Sequence, residues 1–305
     1  MIAGVRYTRD HVLGVSYFFP TRTTALTTAA DDIFSHVTWR AGVQHDLSSE
    51  NMLYFTASTG FIAGGANPGG VAPYEPQTDT SYEFGSKNML FGGSMRLNAD
   101  VYYVKYNSLL VSSFNPATSL TTSTNAGSST AEGLELDWAW DPMPNLRLRA
   151  DGDYLRSKYG NFILGPEGLF QDGQSLPAKY GPGAEGFLVN GLTTRNAPLW
   201  SMNTSSDYDI SLGDYGVLTP GINLTYVDDY RTWYAPNPWA VQSAYWKVDW
   251  RVRWTPPHSH WSAMFYMTNA TNKAIRLFTT PNQGGIIYDQ YMDPRIYGVR
   301  FSYRR

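Results

Sequence analysis

Residues 246–254 read Trp-Lys-Val-Asp-Trp-Arg-Val-Arg-Trp, and this nonapeptide decides the fold class. Trp246, Val248, Trp250, Val252 and Trp254 share one parity, while Lys247, Asp249, Arg251 and Arg253 share the other. Successive side chains of an extended chain point to opposite sides, so alternation at period two predicts a strand with one apolar and one charged face. Three tryptophans on the apolar face resemble a lipid-facing surface with interfacial aromatics more than one side of a soluble core.

The same alternation recurs through the chain. Leu134, Leu136, Trp138 and Trp140 alternate with Glu135 and Asp137; beyond a turn at 141–145, Leu146, Leu148 and Ala150 alternate with Arg147, Arg149, Asp151 and Asp153. These segments are expected to form a hairpin with Trp140 facing Leu146 and Asp137 facing Arg149, so that opposite charges meet on the polar side. Further strands are expected at about 2–9, 33–46, 51–62, 78–90, 94–114, 198–212, 216–233, 261–270 and 293–303. With 125–140, 146–159 and 241–255 the total is about twelve.

The connections alternate in character. Short turns at 47–50, 91–93, 141–145, 212–215 and 256–260 alternate with longer segments at 63–77, 115–124, 160–197, 234–240 and 271–292, rich in Gly, Pro, Asn and aromatics. Short periplasmic turns facing long extracellular loops is the pattern of an outer-membrane barrel. Segment 160–197 is expected to be extracellular and the least ordered part of the chain, and the glycines from Gly60 to Gly70 to form a mobile loop.

Composition supports this class. Aromatics make up 15% of the 305 residues and charged residues 16%, the latter below the roughly 25% of soluble domains. A net charge of -3 offers no basic field for nucleic acid. There is no cysteine, hence no disulfide or thiolate metal site. No run approaches the ~18 apolar residues of a membrane helix, and barrels hide their lipid-facing residues at every second position. The first residues, MIAGVRYTRD, lack the basic and apolar regions of a secretory signal peptide, so an exported protein with this sequence is expected to begin upstream.

Chemistry-bearing motifs are absent. No nucleophile elbow, zinc-protease motif or phosphate-binding glycine loop occurs, so the chain is read as no enzyme and as needing no cofactor. Asp151 and Asp153 share a face because a strand puts them there, not as an acid–base pair. His258 and His260 sit in a Pro-rich turn without acidic or thiol neighbours and are read as solvent-exposed, with no metal site.

Several segments, in order, resemble the C-terminal barrel of TonB-dependent receptors. They are Ala3 to Asp10 (AGVRYTRD), Tyr54 to Pro68 (YFTASTGFIAGGANP), and Tyr74-Glu75-Pro76 followed by Ser81 to Lys87 (SYEFGSK). Asn125-Ala126-Gly127 leading to Gly133-Leu134-Glu135-Leu136-Asp137, Asn269 to Lys273 (NATNK) and Pro294 to Tyr303 (PRIYGVRFSY) continue the series. The resemblance implies an all-β, antiparallel transmembrane barrel meander in a Gram-negative outer membrane, residues 1–305 being about twelve C-terminal strands of a roughly 22-stranded plugged barrel. On that reading the plug domain and the N-terminal strands are absent from this chain.

The implied function is uptake of a scarce nutrient such as a ferric siderophore, corrinoid or carbohydrate. The implied partners are outer-membrane lipid, the small-molecule ligand, and the TonB energy-transducing protein acting through the plug. Ligand capture is then expected from loop aromatics, the candidates being Tyr74, Phe170, Tyr180, Trp233, Tyr234, Trp239 and Tyr288, since aromatics supply contact area at little entropic cost. Those nearest strand ends, Trp233 and Trp239, equally fit an aromatic girdle. The charges on the polar side, Glu135, Asp137, Arg147, Arg149, Lys247, Asp249, Arg251 and Arg253, are expected to solvate a lumen and pair across strands. Competing readings are a complete small pore of about twelve strands, an even number that can close alone, and a soluble secreted carbohydrate-binding β-sandwich.

Overall fold

The computed structural model describes residues 1–21, 24–68, 71–115, 120–160, 163–164, 174–175, 185–234, 238–281 and 287–304. Twelve strands follow one another as an antiparallel meander in a single sheet. They are β1 (Ile2–Thr21), β2 (Thr24–Asp46), β3 (Asn51–Ile62), β4 (Gln77–Leu90), β5 (Met95–Asn115) and β6 (Leu120–Met143). The series continues with β7 (Leu146–Tyr159), β8 (Trp200–Tyr208), β9 (Val217–Val227), β10 (Tyr245–Thr255), β11 (Trp261–Thr268) and β12 (Ile296–Tyr303). A two-residue strand, Ile210–Ser211, adds to β9. Each expected strand has its counterpart here, and β1 and β12 are not paired with each other.

Register carries the alternation from strand to strand. Tyr226, Leu224 and Ile222 of β9 stand opposite Trp246, Val248 and Trp250 of β10. Trp250 and Val252 stand opposite Met267 and Phe265 of β11, which in turn face Tyr297 and Val299 of β12. The apolar residues thus form one continuous band. The other face carries Thr225, Asn223, Lys247, Asp249, Arg251, Tyr266 and Arg300. Among the described residues every buried apolar side chain, from Val111 to Ile275, lies at the loop end of the molecule, and none lies between two sheet faces. A soluble β-sandwich requires such an interior. The apolar face has the character of a barrel's lipid side and the polar face that of its lumen wall.

Aromatics mark both edges of the band. Tyr154 and Trp200 lie 4.8 Å apart between ring centroids, and Tyr226 and Trp246 5.0 Å apart, near the long loops. At the short turns Trp138 meets Trp140 at 6.0 Å and Trp254 meets Trp261 at 5.3 Å. From Trp246 to Trp254 the strand climbs about 27 Å, the length of a tilted crossing.

Three expectations need correction. Trp140 stands opposite Leu148 rather than Leu146, because a register shift between Trp140 and Met143 takes up residues at the Asp141-Pro142 corner. A slip of two residues preserves the faces but changes the partners, so Asp137 opposes Asp151, not Arg149. The charges find other mates: Arg96 to Asp137 at 3.1 Å and Arg149 to Asp141 at 2.6 Å.

Second, Leu120 to Thr124, inside a segment expected as a loop, and Asp10 to Thr21 with Thr24 to Asp32, lying between two expected strands, continue as paired ladders. Val15 opposes Ala29, and Asn115 opposes Leu120, so both hairpins rise well beyond the ~10 residues that a crossing needs. Third, the glycine-rich segment after β3 is pinned. Gly65 and Tyr74 exchange backbone hydrogen bonds of 3.0 and 2.9 Å. The amide nitrogen of the buried Asn67 donates to the carbonyls of Ala72 and Ser123, each at 2.7 Å. Most of 160–197 lies outside the described residues; within it, Ile163–Leu164, Gln174–Ser175 and Glu185–Leu188 pair as short strands.

Candidate ligand site in the loops and on the lumen wall

The lumen wall is sorted by charge along the strands. Near the short turns, guanidinium–carboxylate pairs cross the wall: Arg96 of β5 with Asp137 of β6, Arg147 of β7 with Asp209 just after β8 at 2.6 Å, and Arg251 of β10 with Asp207 of β8, over Gly221 of the intervening β9, at 2.6 Å. Lys247 and Asp249 are in close contact further up. At mid-height Asp100, Glu135 and Asp153 stand side by side on β5, β6 and β7. Ser201 donates to Asp153 at 2.8 Å, and Tyr54 donates to the adjacent Glu83 at 2.6 Å. Among the described residues no cation pairs with these four carboxylates. Like charges directly opposite repel, so this part of the wall carries a local negative charge without a counter-charge from the described residues.

At the other end the loops pack into a small core. Val111 of β5, Tyr159 of β7, Val189, and Trp233, Tyr234 and Ala240 from the β9–β10 connection bury one another, with Leu109, Leu192 and Trp239 against them. The β11–β12 connection folds as a hairpin of Arg276–Pro281 and Ile287–Tyr291. It docks on the β9–β10 connection through polar contacts. Tyr230 donates to the Arg276 carbonyl at 2.9 Å, Thr232 to Thr279 at 2.8 Å, and the Arg276 amide to Gln242 at 2.7 Å. Burial pushes the Tyr230 phenol up to about 12, with the neighbouring Tyr245 adding to the shift.

The loop aromatics named from sequence separate into classes. Trp233 and Tyr234 are 5% and 8% exposed and form the loop core, away from the lipid edge. Trp239 packs on that core half-buried. Tyr74 closes over Gly65, whose missing side chain makes room for the ring: a Cβ there would lie 2.5 Å from the phenol oxygen. Tyr288 stands 53% exposed on the docked hairpin. Phe170 and Tyr180 lie outside the described residues. His258 and His260 are exposed at the turn after β10.

Sequence reasoning missed the cations among these aromatics. Arg195 lies over the Tyr234 ring at 5.0 Å and the Phe278 ring at 5.9 Å. Arg231, whose carbonyl accepts the Asn196 amide at 2.8 Å, has a buried Nη1 without a hydrogen-bond partner. Arg276 donates to the carbonyls of Trp239 and Val241 and faces Asp289 at 3.1 Å. Among the described residues Arg195 and Arg231 have no carboxylate partner. An unpaired guanidinium N–H that is out of water costs about 1–3 kcal/mol, which an incoming acceptor would recover. The group can therefore take an anion with flat apolar surface. No local pattern flagged it, because the three arginines come from separate connections.

Comparison with known proteins adds the following. The family model described as TonB dependent receptor-like, beta-barrel matches residues 1–270. No curated protein sequence matches the chain. Among solved structures, it is similar to the ferric yersiniabactin uptake receptor FyuA from Yersinia pestis, with a TM-score of 0.76 at 17% identity over 98% of this chain and 42% of that one. It is also similar to the siderophore receptor PiuA from Acinetobacter baumannii, with a TM-score of 0.68 at 18% identity over 93% of this chain and 38% of the other. The copper transporter OprC gives 0.66 at 12% identity, over 99% of this chain and 44% of its own. The chain thus spans less than half the length of these relatives.

Proposed function

Since the chain belongs to the TonB-dependent receptor β-barrel family, we propose that it forms part of an outer-membrane importer capturing an anionic metal chelate of the siderophore type. The observation that carries this reading is the arginine group. Arg195 and Arg231 meet no carboxylate among the described residues, and Arg195 stands over the Tyr234 and Phe278 rings. A neutral sugar gives two such guanidinium groups no counter-charge, whereas a carboxylate- or catecholate-bearing chelate does. Of the similar structures, PiuA is a siderophore receptor and FyuA a ferric yersiniabactin uptake receptor, which supports the class without fixing the compound.

On this reading the segment works inside a larger barrel. The ladders of β1 and β12 end the sheet, and unpaired backbone in hydrocarbon costs several kcal/mol per group, so further strands complete the wall. Import is driven through a plug by TonB, and the barrel's part is capture and passage, without a catalytic step.

The test is binding of a panel of ferric chelates of differing charge to the full-length receptor, with Arg195→Gln/Arg231→Gln beside the wild type. Preference for anionic chelates, lost about tenfold or more in the double variant, is expected from two charge-assisted contacts. Equal affinity for neutral ligands in both proteins would overturn the reading.

A further inference from the structure

The lipid-facing parity leads somewhere else at its outer edge. On β7 that face runs Leu146, Leu148, Ala150, Gly152 and Tyr154, and then turns to Arg156 and Lys158. On β5 it runs Met95, Leu97, Ala99, Val101 and Tyr103, and then turns to Lys105. The register sets these ends level: Lys105 opposes Thr130, which opposes Lys158, and one step below Tyr103 opposes Glu132, which opposes Arg156. Three cations and one carboxylate thus crown the aromatic edge formed by Tyr82, Tyr103, Tyr154 and Trp200.

Only one of the three cations is matched within the protein. Arg156 pairs with Glu132 at 3.2 Å. Lys105, exposed, and Lys158 have no ion-pair partner among the described residues. They stand two strand spacings apart, about 10 Å, with the Thr130 hydroxyl on the strand between. With Glu132 counted the row is still net cationic; it lies on the lipid side and sits directly above the interfacial aromatics at the long-loop end, which is the level of outer-leaflet headgroups.

We propose that Lys105, Arg156 and Lys158 form a binding row for the phosphate of a lipid headgroup in the outer leaflet, held between the two lysines with Thr130 beneath it. The proposal rests on the outer-membrane reading above, and it adds a specific lipid site on the outside of the wall, separate from ligand capture in the loops.

The experiment uses the full-length receptor, inserted in phosphatidylcholine vesicles with and without the bis-phosphorylated glucosamine lipid anchor of lipopolysaccharide, then extracted in neutral detergent. Anchor retained per protein is counted by native mass spectrometry. Wild type is expected to retain it, and Lys105→Gln/Lys158→Gln to lose roughly tenfold or more, from two headgroup contacts. Lys87→Gln, on the lumen wall, is expected to retain it like wild type. The dephosphorylated anchor should not be held, and excess inorganic phosphate should not displace the bound lipid. Heat-modifiable migration reports insertion of each protein. Normal migration with undiminished retention by the double variant would overturn the row alone, as would equal retention of the dephosphorylated lipid. Loss of migration in the wild type would overturn the barrel reading and the row with it.

Discussion

Arg147 holds Asp209 with both guanidinium nitrogens, at 2.6 and 2.8 Å, tying β7 to the turn that follows β8. That guanidinium, and after it the Thr219 hydroxyl, pull the Asp209 carboxyl down to about 2 from its usual 3.8. A carboxyl depressed in the folded state stabilises it fully above the unfolded value, and the contribution fades as pH falls through the folded one. Acid unfolding should therefore steepen between about pH 4 and 2. Both side chains are about a third exposed, at 35% and 32%, so Asp209→Asn should cost only about 1 kcal/mol near neutrality. It should also flatten that acid limb, as read by tryptophan fluorescence during a pH titration.

The two faces of the sheet should respond oppositely to charge. Val248→Arg puts a cation at mid-band on the lipid face and should cost about 2–4 kcal/mol in folding from urea into vesicles. Asn223→Lys, opposite Asp249 on the lumen wall, should stay within about 0.5 kcal/mol. A lipid-phase probe should label Trp250→Cys and spare Arg251→Cys; the reverse pattern would invert the wall.

Trp233 and Tyr288 separate packing from contact. Trp233→Ala empties the loop core and should cost about 3–5 kcal/mol of local stability, seen as faster amide exchange in the β7–β8 and β9–β10 connections while the band stays protected. Tyr288→Ala removes an exposed ring and should leave exchange unchanged. If Tyr288 touches the ligand, chelate affinity falls several-fold with no change in stability.

The twelve strands were legible because each crossing alternates against two solvents, and Trp246 to Trp254 is the plainest case. What the sequence hid lies where that contrast stops. The pairing of Asp10 to Thr21 with Thr24 to Asp32 appears only in the register. The Trp140–Leu148 register was missed because pairing continues past a bulge at a Pro-containing corner to Met143 and Leu146, which leaves every partner two residues from the expected one and the pattern untouched. The arginine group and the loop core escaped for another reason. Tyr159, Val189 and Trp233 come together only through loops of very different length, and no local rule relates them.

That core also has a thermal consequence. Expulsion of water from packed apolar groups is the source of a large unfolding heat capacity, and among the described residues such groups gather in the loop cap. The band beneath trades hydrocarbon for hydrocarbon and contributes little of it. In calorimetry the cap behaves as a small water-soluble fold tethered to a membrane one. Cooling weakens the cap first, through the fading of its hydrophobic contribution, and leaves the wall as it was.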